Sequence, residues 1–317
     1  MNGHARDPDL APTRSGGRRR RGHGDRTRVL TEQRKTSVVC DTTAYMPDQL
    51  TADLEIQRVS LYVTLGGEQR REMQVEDYAG FFERLSESER GATTSQPSVG
   101  DFLNAYQPEV SAGRDVVSLH ISAGISGTYD SALQAREQLG ADAERIHVYD
   151  SRSSAGGLAL CVIAAARAAR EGADAAEVLQ RAEEARAKLR MWFAVDTLEY
   201  LRKGGRIGAA RAFLGSALQI KPILTLEEEI TPIERVRTRG RVFERLLEYA
   251  RELHEAGLDG WVVQHIQDPE NAQRLVEAGR EIFGSEPIFV SEVGPVLGAH
   301  TGPGLLGIGG VPRHLVG

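Results

Sequence analysis

Three short segments bring together the side chains best suited to chemistry: Thr93-Thr-Ser-Gln-Pro-Ser98, Ser122-Ala-Gly-Ile-Ser-Gly-Thr128 and His300-Thr-Gly-Pro-Gly304. The second follows an apolar, β-type run at residues 116–121 and precedes a helical stretch that reaches residue 139. Ser126 and Gly127 therefore sit where a strand hands over to a helix. Free backbone N–H groups and the positive end of the helix dipole converge there, which favours a carboxylate or a phosphate. A serine at such a turn also serves as a plain helix N-cap, and the residues alone leave both roles open.

Other chemistries find less support. Gly124-Ile-Ser126-Gly127 approaches the nucleophile elbow G-x-S-x-G, but its second glycine falls one position early. A serine acyl-ester hydrolase would still need Ser126 paired with His300, and Asp41 or Asp150 to orient the imidazole. No G-x-x-x-x-G-K-[ST] is present, and Gly204-Gly-Arg-Ile-Gly208 lacks the spacing of a dinucleotide fingerprint. His120, His147, His254, His265 and His300 are scattered without an i, i+4 pair, so no metal site is expected.

These segments must be positioned by alternating strands and helices. Strands are expected at residues 37–41, 56–65, 116–121 and 146–150. Helices are expected at 75–85, 100–106, 128–139 and from Gly156-Gly157 through Arg170. Thr93 to Ser98 reads as a polar loop. Such alternation implies an N-terminal, mostly parallel sheet wrapped by helices, with ligands at the carboxyl ends of its strands. Beyond an amphipathic helix at 175–189, strands at 191–195, 220–224, 230–236, 260–265 and 288–293 alternate with helices at 197–203, 240–256 and 269–283. They imply a mixed sheet with helices, and residues 294–304 read as a glycine-rich turn. The organisation expected is a tail over 1–36, an N-terminal α/β domain over 37–172 and a C-terminal α/β domain over 173–317.

The chain has 317 residues, 40% of them hydrophobic, with 39 basic and 45 acidic side chains for a net charge of −6. That sum hides an uneven distribution. The first 35 residues hold ten basic and four acidic side chains, a balance of +6, which leaves about −12 for the rest. An acidic body argues against nucleic acid as the main partner, and the aperiodic, Arg-rich start reads as a disordered, solvated extension. Cys40 and Cys161 form no ligand pair and read as buried apolar residues of a reducing compartment. The uncharged stretch 153–166 is too short to span a bilayer, and no apolar signal-peptide segment is found. A cytoplasmic protein with at most transient membrane contact is expected.

The ordered set Val39-Cys-Asp-Thr-Thr-Ala44, Thr94-Ser-Gln-Pro-Ser98, Ile125-Ser-Gly-Thr-Tyr129, Asp150-Ser151, Asp196-Thr-Leu-Glu-Tyr-Leu-Arg-Lys-Gly-Gly-Arg-Ile207, Ile220-Lys-Pro-Ile-Leu224, Arg235-Val-Arg-Thr238 and His300-Thr-Gly-Pro-Gly304 resembles the DegV family of fatty-acid-binding proteins, over about residues 37–308. The resemblance implies two α/β domains enclosing one long-chain fatty acid of the palmitate or oleate class. Its carboxylate would be held by Thr94 and Ser126, with Gly127 and His300 beside it. The protein would be a binder rather than an enzyme, with no catalytic residue, metal or cofactor beyond the bound lipid. It would serve lipid transport or present the carboxylate to a separate ATP-dependent fatty acid kinase subunit, with Arg206 touching phosphate or that partner. A dihydroxyacetone-kinase-like substrate subunit, whose histidine would form a covalent adduct, is the related alternative.

Two hydroxyls, helix-terminal amides and an imidazole suit a carboxylate that is otherwise costly to bury. About fifteen methylenes at about 0.8 kcal/mol each supply on the order of 10 kcal/mol before ordering costs, so an apolar tunnel must dominate affinity. Phe193, Phe213 and Leu214 are candidates for its wall. The chain departs from the family pattern at Asp41-Thr-Thr-Ala-Tyr45, at Ala123 and at the glutamates after Leu226, none of which touches Thr94, Ser126 or His300.

Overall fold

A computed structural model of the chain describes residues 35–215 and 220–317. The expected disordered tail therefore lies, up to residue 34, outside the described residues. In chain order the first half runs β1 (Thr36–Asp41), α1 (Asp48–Asp53), β2 (Ile56–Val59), β3 (Tyr62–Leu65), β4 (Glu68–Arg71), α2 (Tyr78–Glu87), β5 (Thr93–Ser95), α3 (Val99–Ser111), β6 (Asp115–His120), α4 (Thr128–Gln138), β7 (Ile146–Asp150), α5 (Ala155–Arg170) and α6 (Ala175–Lys188). The second half runs β8 (Arg190–Ala194), α7 (Glu199–Lys203), β9 (Lys221–Leu226), β10 (Ile230–Val236), α8 (Arg239–Glu255), β11 (Gly260–His265), α9 (Pro269–Phe283), β12 (Phe289–Glu292), α10 (Pro295–Thr301) and β13 (Leu306–Val311).

The expected α/β architecture is present. An all-parallel sheet of order β2-β1-β6-β7 occupies the N-terminal half, and a mixed sheet of order β10-β9-β8-β13-β11-β12 the C-terminal half. In β1, Val39 faces one side with Phe102, Tyr106 and Ala132 from α3 and α4, whereas Val38 faces the other with α5. Helix α5 is buried nearly all round, as a helix apolar on every face must be. It packs on β1 and β6 and also on β11 and β13 of the mixed sheet, so one helix forms the shared core between the two sheets. Helix α6 lies beside it over β6 and β7, and α8 and α9 cover the opposite face of the mixed sheet. Among the described residues no helix is long and apolar enough to cross a membrane.

Three local expectations are corrected. The single strand expected over 56–65 is broken at Ser60-Leu61, where Thr42 Oγ1 accepts from the Leu61 N–H and the Leu61 carbonyl accepts from the Glu72 N–H. Those side partners satisfy the bend, and β3 leaves for a third sheet of order β4-β3-β5 that the sequence pattern does not announce. Thr93–Ser95 is a strand of that sheet rather than a loop, with Thr94 opposite Val63. Residues 295–301 are a helix: Pro295 occupies its first turn, where a missing N–H costs nothing, and Gly302 closes it at φ 73°.

Candidate functional site

Loops at the carboxyl ends of β6 and β7, the strand β5, the helix α10 and the inner face of the mixed sheet line a cavity that is partly open to solvent. Its wall is mainly aliphatic and aromatic, with Ile121, Phe193, Leu201, Val293 and Leu305 among its members. Thr94, Ser126, Gly127, Arg206 and His300 all line it. Residues more than 200 positions apart in the chain thus meet on one surface, Thr94 from β5 and His300 from the last turn of α10.

Each polar group is set by its element. After β6 the backbone turns on Ser122, whose N–H donates to Ser153 O at 2.8 Å and whose hydroxyl donates to Glu228 O at 2.8 Å. This delivers Ser126 and Gly127 to the start of α4. Ser126 Oγ accepts from the Thr128 N–H at 3.3 Å and lies 2.9 Å from Thr128 Oγ1. The N-cap of α4 is Gly127 rather than the serine; Ser126 stands one residue earlier, bonds to Thr128 in the first turn and lines the cavity. A Cβ at Gly127 would lie 2.9 Å from the Gln96 amide nitrogen, the mobile end of an exposed side chain that can give way.

His300 Nε2 lies 2.8 Å from Thr94 Oγ1, and its other ring nitrogen, Nδ1, is buried without a partner. Burial and, to a lesser degree, the Arg206 charge together push the imidazole down to about 4. The ring is neutral at pH 7, so one of its nitrogens is an acceptor and the other a donor. With the proton on Nε2, the Thr94 hydroxyl receives that bond and keeps its own hydrogen for a ligand oxygen. Arg206 is exposed at the mouth, donating from Nε to Ile125 O at 3.2 Å and from Nη1 to Gly204 O at 2.8 Å. A shallow polar recess beside the mouth is lined by Ser126, Gly127, Asp130, Arg206, Arg211 and Glu229.

The groups a hydrolase needs are not assembled. His300 bonds to Thr94 rather than Ser126. Asp41 accepts from the Ile121 N–H at 2.8 Å and lies 3.2 Å from His120 Nδ1, and Asp150 accepts from the N–H groups of Ala123 and Arg152. Neither carboxylate reaches His300. The Asp41–His120–Ser118 string has the composition of a catalytic triad, yet all three residues are fully buried, with Tyr106 donating to Ser118 at 2.8 Å. Its role is to saturate polar groups inside the parallel sheet. The apolar wall also suits a small polyol such as dihydroxyacetone poorly.

Among the described residues no group of three or more His, Cys, Asp or Glu side chains could hold a metal. Cys40 and Cys161 are free and buried, and burial pushes the Cys161 thiol up to about 12. Of the wall candidates, Phe193 lines the cavity. Phe213 instead lies under the Arg235 guanidinium, 5.0 Å from the ring centroid, and Leu214 is 43% exposed. Sequence reasoning missed Gln264 and Gly307, neighbours across β11 and β13 that face the cavity together. Alternation along each strand would have placed them on one face but not said what that face meets.

A family model described as "Uncharacterised protein, DegV family COG1307" matches residues 35–313. A DegV domain-containing protein of Streptomyces coelicolor is 39% identical over 281 residues, covering 87% of this chain and 98% of its own. The protein DegV of Bacillus subtilis is 33% identical, covering 86% of this chain and 97% of its own. Among solved structures, a fatty-acid-binding DegV family protein from Thermus thermophilus is 32% identical with a TM-score of 0.79, covering 87% of this chain and 99% of its own. DegV from Bacillus subtilis, described as a fatty acid binding protein, is 34% identical with a TM-score of 0.77, covering 87% of this chain and 98% of its own.

Proposed function

The chain belongs to the DegV family, and from that premise we propose that it binds one long-chain fatty acid of the palmitate or oleate class. The carboxylate lies against Thr94, Ser126, the Gly127 backbone and His300, and the acyl chain fills the apolar cavity. The observation that carries this reading is the convergence of those four residues, from distant parts of the chain, on one mainly apolar wall. Two hydroxyls and a neutral imidazole supply hydrogen bonds without a buried cation, and Arg206 at the mouth neutralises the remaining charge.

The halves 37–172 and 173–317 act as the two domains that enclose the lipid, with α6 packed on the first. The protein acts in the cytoplasm as a binder, not an enzyme. It carries the lipid or presents its carboxylate to a separate ATP-dependent fatty acid kinase subunit, with Arg206 facing the incoming phosphate or that partner. Supporting this orientation, the polar recess at the mouth opens beside Ser126 and Arg206.

The test is mass spectrometry of the intact protein purified from bacteria, native and then denatured. A co-purifying long-chain fatty acid is expected, and Thr94→Ala with Ser126→Ala should weaken its retention by about 100-fold, as expected for two hydrogen bonds to a charged group. Lipid-free protein that also fails to take up added palmitate or oleate refutes the reading.

A further inference from the structure

The residue that follows β4, Glu72, is 3% exposed and has no part in the site described above. Its carboxylate accepts three hydrogen bonds, from Thr42 Oγ1 at 2.5 Å, Tyr45 Oη at 2.7 Å and the Val296 N–H at 2.8 Å. Tyr45 Oη in turn accepts from the Leu297 N–H at 3.1 Å. Val296 and Leu297 hold the first two free amides of α10, because Pro295 has none. Both amides are thus satisfied from the N-terminal half. To deliver its hydroxyl, Tyr45 holds a left-handed backbone at φ 49°, a conformation that costs a side chain free energy. Gly294 leaves room for it, since a Cβ there would stand 2.7 Å from the Tyr45 ring.

The other end of α10 is tied to the same small sheet. His300, four residues after Val296 and so on the same helix face about 6 Å along the axis, meets Thr94 on β5. Glu72 is attached to that sheet as well, its N–H donating to Leu61 O at 2.9 Å beside β3. A seven-residue helix is therefore held at both ends by one sheet, with Val296, Leu297, His300 and Thr301 on the cavity wall between. Movement of its first turn moves the imidazole.

We infer that Glu72 is a positioning residue for the lipid head group: its carboxylate holds α10 against the three-stranded sheet and so keeps His300 aligned with Thr94. This rests on the fatty-acid reading given above. Burial holds the Glu72 carboxyl above its usual range, and the bonds from Thr42, Tyr45 and Val296 offset only part of that rise. Those same three donors are the ones the clamp requires.

The experiment combines two readouts on Glu72→Gln, Tyr45→Phe, His300→Ala and the double variant Glu72→Gln/His300→Ala. In the first, release of bound oleate is timed by transfer to excess albumin. Glu72→Gln and Tyr45→Phe should each speed release by about tenfold, and Glu72→Gln should add less than about twofold in the His300→Ala background, the mark of residues acting through one another. In the second, the imidazole signals of lipid-free protein are followed by ¹H–¹⁵N NMR. The His300 signals should move in Glu72→Gln and Tyr45→Phe while those of His147 and His254 stay. Equal acceleration in both backgrounds, or unmoved His300 signals, overturns the inference. If the parent protein takes up no oleate, the binding reading fails, and the NMR readout still decides the clamp; if Glu72→Gln does not fold, Tyr45→Phe carries both measurements.

Discussion

At the scale of the residue, the site works by withholding charge. His300 is nearly buried and close to Arg206, so its ring gives up its proton down to about pH 4 instead of the ordinary 6.5. Between those values the unfolded chain binds the proton more readily than the folded one. Stability from this group is therefore complete above about pH 6.5 and falls as the pH drops toward 4, by on the order of 3 kcal/mol. In urea titrations of lipid-free protein, the parent should lose more stability between pH 7 and 5 than His300→Gln does. A pH-independent difference between the two would contradict the assignment. The residue types at Thr94, Ser126 and His300 are readable from the chain, as is the strand-to-helix turn that holds Ser126. The Thr94–His300 bond is not, because nothing local links positions 94 and 300. Glu72 is similarly silent in sequence, where a lone glutamate beside two arginines reads as surface.

At the scale of the element, periodicity located most strands and helices to within a few residues, as at Pro269–Phe283. It failed where turn-forming residues had another use. Proline and glycine around α10 mark the start and stop of a short helix, and the Thr-rich start of Thr93–Ser95 pairs with β3. Strand β13 gives the clearest functional consequence. Gly307 lies between Gln264 on β11 and Phe193 on β8, and all three line the cavity. On the fatty-acid reading proposed above, a residue without a side chain leaves room there for an acyl chain against the sheet. Gly307→Leu should fill that path and shift the co-purified lipid to chains shorter by about four carbons, read from the same mass spectra. An unchanged lipid profile would show that the chain runs elsewhere.

At the scale of the whole molecule, helix α5 joins the two sheets into one core, and the cavity opens beside its first turn. A ligand filling that space contacts both halves and binds only the folded chain. Palmitate at 100 times its Kd should add about 2.7 kcal/mol to stability and raise Tm by several degrees, with Thr94→Ala/Ser126→Ala showing a smaller rise. No shift in a calorimetric scan would count against a lipid enclosed between the halves. The sequence alone determined the fold class, the buried character of Cys40 and Cys161, and the strand-to-helix turn that carries Ser126 and Gly127. It did so because those properties rest on local patterning and composition. Only the tertiary structure decided which hydroxyl meets His300, that Asp41 serves His120 instead, that Glu72 holds α10 and that Gly307 lies on the cavity wall. Each of those is a contact between distant segments, and such contacts depend on how sheets and helices pack rather than on the period of any one stretch.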